Sequence, residues 1–359
     1  MEKIVIDYVY KNYFSARSKA REDVNIIAKN HGFTPFLINT RTTTEQAQSN
    51  PSAIKRLFYN IRKLFIFIRS VATIKRGTLV LLQYPLSPFG DMFTSIFCSC
   101  LKRKKCHLVL LVHDITHVRA TGEKFDSTEV KIFNTASELI LHTPQMQKLM
   151  KENGVDRPSR LLWLFDYLTD ETPSQDRNPD NADLVAYAGS RGINSMFMRK
   201  LTEVPYKGIE LHLYGREPLD IEVYPDWLKY IGRFDPDNVT KLTEGWGLTW
   251  DGDGIDALRG PLGNYVKYNS PHKVSLYIAA GIPVIVSKES ALADFVEENK
   301  LGIAIPSLLE LDKSVVEFDK EELQTIRKHV DEMSVVLRTG GRLGALLDSI
   351  VEEKGRATC

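Results

Sequence analysis

The sequence predicts an α/β protein made of two parallel sheets in tandem. Two observations carry that reading. Short β-branched runs alternate with helical patterns, and the alternation stops at a polar, acidic stretch and then restarts. In the first half, strands are read at 3–7 (KIVID), 36–39 (FLIN), 78–83 (TLVLLQ), 107–113 (HLVLLVH), 138–142 (ELILH) and 160–164 (RLLWL). Between them, 20–31, 53–75, 91–104, 127–136 and 143–153 read as helices. Residues 166–181 (DYLTDETPSQDRNPDN) are polar and acidic and hold two prolines, which makes them the best linker in the chain. Strands then return at 184–188, 210–214, 229–233, 246–250, 283–287 and 303–305, with helices near 194–202, 272–280 and 291–298. Two closing helices, 320–337 and 342–353, are joined by Thr339-Gly340-Gly341. The expected division is 1–166, a linker at 167–181, a second domain at 182–337, and a last helix within 338–359 packing back toward the first domain. The fold class is therefore two tandem Rossmann-like domains facing a cleft, with ligands expected beyond the carboxyl ends of the strands.

Composition narrows the function classes. With 47 Lys+Arg against 46 Asp+Glu, the formal charge of +1 argues against a general nucleic-acid binder. A hydrophobic content of 43% with 26% charged residues excludes a disordered, collagenous or multi-span membrane chain. The chain begins at once on a strand pattern, without the apolar stretch and cleavage site of a signal peptide, and holds no run of 18 apolar residues. Cys98, Cys100, Cys106 and Cys359 form no CxxC pair, so reduced thiols in a cytoplasmic compartment, with no zinc site, are expected. The average charge hides an asymmetry. Between Thr44 and His113 the acids are Glu45 and Asp91, against Lys55, Arg56, Arg62, Lys63, Arg69, Lys75, Arg76 and the basic run 102–105. One face of the first domain should be positive.

Chemistry is sought at the strand ends. In the first domain, His113-Asp114 follows its most apolar strand, which would deliver an imidazole and a carboxylate into the crevice, where either could take a proton from an attacking hydroxyl. Capping of the next helix is the ordinary role of such residues. In the second domain, Ala188-Gly189-Ser190-Arg191-Gly192 joins a strand to a helix and could present backbone N–H groups and one cation to an anion, although a plain turn is as common. Asp251-Gly252-Asp253 is a weak metal pattern in a glycine-rich turn, and no metal is expected. The chain has no Walker A loop, GxSxG or HExxH. The most informative stretch is 264–287 (NYVKYNSPHKVSLYIAAGIPVIVS). Lys267 and Asn269 stand in a loop; Pro271 fits a first helical turn, with Ser270 as its cap. Lys273 then sits beside the positive end of the helix dipole, which is unfavourable unless an anion binds there.

The string from Pro271 through Lys273, Tyr277, Gly281 and Pro283 resembles the motif with which GT-B glycosyltransferases cradle a donor diphosphate. Together with Trp246 to Asp253 and Gly263 to Asn269, it is similar to a bacterial group holding β-1,6-galactofuranosyltransferases and the glucosyltransferases that extend glycans on serine-rich adhesins. Leu276 stands where many GT-B enzymes carry a ribose-binding Glu. The resemblance implies a metal-independent hexosyltransferase with no cofactor, moving galactofuranose, glucose or a similar sugar from a UDP-sugar donor to a glycan acceptor in surface polysaccharide or glycoprotein synthesis. It implies donor contacts from Ser190, Arg191, Tyr214, Asp251, Lys267, Asn269 and Lys273. His113 or Asp114 would be the base, and Tyr13 and Tyr84 would be stacking surfaces for an acceptor sugar. A homo-oligomer is a further expectation from the family. A non-catalytic nucleotide-sugar-binding partner of a glycosylation complex is the alternative, and a nucleotide-sugar epimerase a weaker one.

One segment asks for more than a core role. Ile54, Leu57, Phe58, Ile61, Leu64, Phe65, Ile68, Val71 and Ala72 recur at helical spacing, part of which must face the sheet. Tyr59, Ile66 and Phe67 lie off that stripe, and the segment has no acid. A basic helix with surplus apolar residues can lie on an anionic membrane surface. Peripheral contact through 53–76, at the inner face of the plasma membrane, would suit a lipid-linked acceptor.

Overall fold

The computed structural model describes residues 1–8, 16–38, 53–86, 90–122, 125–173, 179–189, 196–215 and 223–358. Tyr13, Ser190 and Arg191 lie outside the described residues. The first half contains β1 (Lys3–Tyr8), α1 (Ala16–Asn30), β2 (Thr34–Ile38), α2 (Ala53–Thr73), β3 (Leu79–Tyr84), α3 (Gly90–Arg103) and β4 (His107–Val112). It continues through α4 (Thr116–Thr121), α5 (Ser127–Thr135), β5 (Glu138–Leu141), α6 (Pro144–Glu152) and β6 (Ser159–Leu161). These strands form a parallel sheet in the order β2-β1-β3-β4-β5-β6. The second half contains β7 (Leu184–Ala188), α7 (Phe197–Leu201), β8 (Glu210–Tyr214), β9 (Leu228–Gly232), β10 (Trp246–Leu248), α8 (Gly260–Val266) and α9 (His272–Ala279). There follow β11 (Val284–Ser287), α10 (Ala293–Glu298), β12 (Gly302–Ile305), α11 (Leu311–Val316), α12 (Lys320–Arg338) and α13 (Gly341–Thr358). The second sheet, again parallel, runs β12-β11-β10-β7-β8-β9.

The strands read as continuous apolar runs because both faces of each sheet are covered. Successive side chains point to opposite faces. Val5, Leu79, Leu81, Val109, Leu111 and Ile140 pack on one side with Val24 and Ile27 of α1 and Leu343, Leu347 and Ile350 of α13. Ile4, Ile6, Val80, Leu82, Leu108 and Leu110 pack on the other with Phe67, Phe97 and Phe133. The last helix thus crosses back to the first sheet. Asp166 fixes its start by accepting the N–H groups of Arg342 (3.0 Å) and Leu343 (2.7 Å), so this residue of the expected linker is buried structure.

Strand order reverses between β1 and β3 in one sheet and between β7 and β10 in the other. Those reversals open the crevices in which α/β sheets bind ligands. Gly247 lets the Tyr277 ring of α9 lie directly on β10, since a Cβ there would stand 2.2 Å from that ring. No described helix is long and apolar enough to cross a membrane.

The orientation of α2 departs from expectation. Its off-stripe residue Phe67 packs edge-on against Phe93 and Phe97, and Ser70 and Ile74 are buried with it. Ile61, Leu64, Phe65 and Ile68 of the regular stripe face outward instead, while Val71 at its end packs against the core. Both faces are apolar, and aromatic packing against α3 decides which one turns in.

Candidate functional site

The site is assembled where the carboxyl ends of the two sheets meet. Hydrogen bonds between described residues join them there. The Ile115 N–H donates to the Tyr265 hydroxyl (2.7 Å), the Ser270 N–H to Nδ1 of His142 (3.1 Å), and the Thr143 hydroxyl to the Tyr268 carbonyl (2.5 Å). With Nδ1 accepting, Nε2 of His142 carries its proton to the Val112 carbonyl at 2.6 Å. Burial pushes this imidazole down to about 4. It is a neutral strut between domains.

Lys273, in the first turn of α9, is the electrostatic centre of the second sheet's crevice. Its Nζ lies 2.7 Å from Asp251 Oδ1, 3.2 Å from the Tyr187 hydroxyl and 3.4 Å from the Trp250 carbonyl. It also stands 4.6 Å from the centre of the Tyr187 ring. Burial opposes its charge, but the Asp251 carboxylate and the hydroxyls of Tyr187 and Tyr277 outweigh it and hold Lys273 above its ordinary value. The anion that a lysine at a helix N-terminus calls for is therefore Asp251 itself. Pro271 rather than Ser270 occupies the capping position, and no side chain caps the helix. The Ser270 hydroxyl, Asn269 Oδ1, His272 Nε2 and Thr249 Oγ1 are buried without a hydrogen-bond partner around the same helix start. Buried polar atoms are normally paired, so such a group calls for partners that ordered water or a bound molecule would supply. Lys267, at the end of α8, pairs with Glu289 at 3.1 Å and stays partly exposed.

On the facing side, a cavity of about 450 Å³ opens between α4 and α8, lined by Asp114, Thr116, Arg119, Met196, Asp253 and Leu262, among others. That volume is in the range of small-molecule sites. Asp114 points into it with Arg119 at 3.4 Å. His113 is not among its lining residues: its ring stacks on Phe165 at 5.2 Å and Nε2 lies 2.8 Å from Gln83 Oε1. Phe165, His142 and His272 gather beside it, a grouping the linear sequence concealed. Burial and the nearby Lys19 push His272 down to about 3.

Two expected ligand contacts are corrected. Tyr84 is fully buried, and the single proton of its hydroxyl is shared between Glu129 at 2.9 Å and Asp91 at 3.2 Å. Glu129 in turn accepts the N–H groups of Thr116 (2.7 Å) and His117 (3.2 Å), so Tyr84 braces the start of α4 from beneath and offers no stacking face. Its parity with Val80 and Leu82 on the same core face was the available signal. Tyr214 is also buried; its hydroxyl donates to Glu244 at 2.6 Å and its ring packs on Phe234. Among the described residues, no three His, Cys, Asp or Glu side chains gather as a metal site.

The chain matches two family models that describe the halves of one kind of enzyme. Residues 3–162 match the N-terminal domain of glucosyltransferase 3-like proteins and residues 185–349 match their C-terminal domain. Over 269 residues it is 29% identical to the β-1,6-galactofuranosyltransferase WbbI of Escherichia coli K12, covering 74% of this chain and 78% of that protein. Over 338 residues it is 25% identical to glucosyltransferase 3 of Streptococcus gordonii, covering 93% of each. Among solved structures, sucrose-phosphate synthase of Thermosynechococcus elongatus superposes with a TM-score of 0.65 at 13% identity, covering 100% of both chains. HepE of Anabaena in complex with UDP superposes with a TM-score of 0.60 at 12% identity, covering 99% of this chain and 100% of that one. At these identities the structural matches establish the fold, two Rossmann-like domains of the GT-B type.

Proposed function

We propose that this chain, which belongs to the glucosyltransferase 3-like family, moves a hexose from a UDP-sugar to a glycan acceptor. It is a hexosyltransferase of the GT-B fold. The observation that carries the reading is the buried Lys273–Asp251 pair at the reversal of the second sheet, set among partnerless polar atoms at the start of α9. As the glycosidic bond breaks, negative charge develops on the departing diphosphate, and cations with a helix N-terminus stabilise it. Lys273 and Lys267 would supply that charge in place of a metal ion, joined by Ser190 and Arg191 as the resemblance implies. Asp251 and Asn269 Oδ1 would take donor hydroxyls, since both offer acceptor oxygens. Asp114, at the wall of the cavity and braced by Arg119, is the better-placed base for the acceptor hydroxyl. His113, held between Gln83 and Phe165, would orient the cavity wall. The sugar would be galactofuranose, glucose or a close relative, and the acceptor a glycan carried on lipid or protein.

The test is a thermal-shift panel of nucleotides and UDP-sugars with and without a chelator, followed by a transfer assay with the donor it identifies. A ligand that binds the folded state raises its stability with concentration. Stabilisation by UDP and one UDP-sugar, indifferent to chelation, is the expected result. No response to any uridine nucleotide would overturn the reading, and abolition by the chelator would overturn its metal-free part.

A further inference from the structure

The outward face of α2 and α3 is the largest feature that hexosyl transfer leaves unused. Ile61, Leu64, Phe65 and Ile68 form one helical stripe, exposed by 58%, 46%, 66% and 55%. Phe67 clamps α2 against α3, which adds Met92 and Ile96 at 64% and 46% exposure. A run of large apolar residues in water marks a surface that is covered by something else. The charges beside it say what. Arg62, Arg69, Arg76, Lys102 and Arg103 are exposed on the same two helices and the turns that follow them. Asp91 is the one acid between residues 53 and 106, and it accepts a hydrogen bond from the buried Tyr84 hydroxyl. Lys104 turns back to donate to the Val71 and Ile74 carbonyls, which neutralises the negative end of α2. The face is therefore apolar along its middle and basic around it; its acids are a half-buried Asp91 and Glu2, which pairs with Lys75 beyond the end of α2 (3.7 Å).

We infer that this face docks on an anionic lipid surface. A second copy of the chain would bring two basic rims together, whereas acidic headgroups complement them and the bilayer's outer acyl region takes up the apolar stripe. Parallel β2-α2-β3 and β3-α3-β4 crossovers start both helices at the carboxyl edge of the sheet, the edge on which the cleft opens. Docking would thus hold the cleft close to the membrane. The inference goes beyond the transfer reaction and does not depend on which sugar is moved.

The experiment is co-sedimentation of the full chain with vesicles of phosphatidylcholine containing about 30 mol% phosphatidylglycerol, against pure phosphatidylcholine. Partition should be at least about tenfold stronger with the anionic vesicles and should fall on raising salt to about 0.5 M. The double variant Phe65→Ser/Ile68→Ser should lose vesicle binding while keeping the wild-type melting temperature and UDP response, because both side chains point into water. Arg62→Gln/Arg69→Gln should weaken binding roughly fivefold or more per charge removed. Absence of partition overturns the inference. So does a dimer in solution that Phe65→Ser/Ile68→Ser converts to monomer, which would assign the face to a second copy. Because the UDP response is measured without vesicles, failure here and failure of the transferase reading are separately visible.

Discussion

Replacing Lys273 by Ala separates a binding role from a structural one. The substitution removes an ammonium that meets Asp251, Tyr187 and the Trp250 carbonyl. Breaking a fully buried ion pair costs about 3–5 kcal/mol because the partner is left charged and unpaired. Here the two side chains keep 15% and 12% exposure, so water reaches the stranded Asp251 in part. A loss of about 2–3 kcal/mol is expected, a fall in melting temperature of roughly 4–12 °C. If Lys273 also meets the donor diphosphate, a charge-assisted hydrogen bond of about 1.5–3 kcal/mol is lost as well, weakening UDP about 10–100-fold. The double variant Lys273→Ala/Asp251→Asn tells the two apart. It removes the stranded charge and should regain most of the melting temperature, but not UDP affinity. Calorimetry with UDP on all three proteins is the assay. A Lys273→Ala protein that binds UDP within about twofold of wild type would refute the diphosphate role, whatever its stability.

Two further outcomes follow from the cleft. Asp114→Asn should lower transfer by about 10²–10⁴-fold with UDP affinity unchanged, since it removes a proton acceptor and leaves the second sheet untouched; undiminished turnover would place the base elsewhere. His142 makes stability depend on pH. Its value of about 4 in the fold lies below the ordinary imidazole value of 6.5, so the neutral buried ring contributes stability that is complete above about pH 6.5 and is lost as pH falls toward 4. The contribution is about 3 kcal/mol. His142→Gln, which keeps a donor for the Val112 carbonyl, should flatten that acid limb relative to wild type in denaturant titrations; parallel curves for the two proteins would contradict the assignment.

Much of the architecture is legible in the sequence because parallel strands covered on both faces cannot be mistaken for amphipathic ones. The apolar runs in β3 and β4 of the first sheet and in β7 and β11 of the second show this. The walls of the cavity were illegible. Thr116–Thr121 and Gly260–Val266 are too short to show a full amphipathic repeat, and α8 begins at a Gly260 with φ 73°, where a Cβ would stand 2.5 Å from Asp253 Oδ1. Strand-end tyrosines were misplaced for a different reason. Tyr84 and Tyr214 look like side chains delivered to a crevice, yet parity turns the first into the core of its sheet, and a buried Glu244 draws in the second. For α2 the period was readable and the orientation was not. A helix apolar on two faces is oriented by its neighbours, here Phe93 and Phe97.

Lys273 shows how a sound local argument can stop one residue short. The positive end of α9 does require an anion, and Asp251, on another strand end, provides it before any donor arrives. Under the proposed function, donor binding would then be an exchange in which a diphosphate competes with a resident carboxylate for the same ammonium. Asp251→Asn tests this directly. If Asp251 only neutralises Lys273, the variant should bind both UDP and UDP-sugar several-fold more tightly, by up to about one charge-assisted hydrogen bond. If Asp251, displaced from Lys273, goes on to accept a hydroxyl of the transferred sugar, UDP should tighten while UDP-sugar weakens, and turnover should fall with it. Unchanged affinity for both ligands would mean that the diphosphate never reaches Lys273, and the phosphate contacts would pass to Lys267 and the backbone at the start of α9.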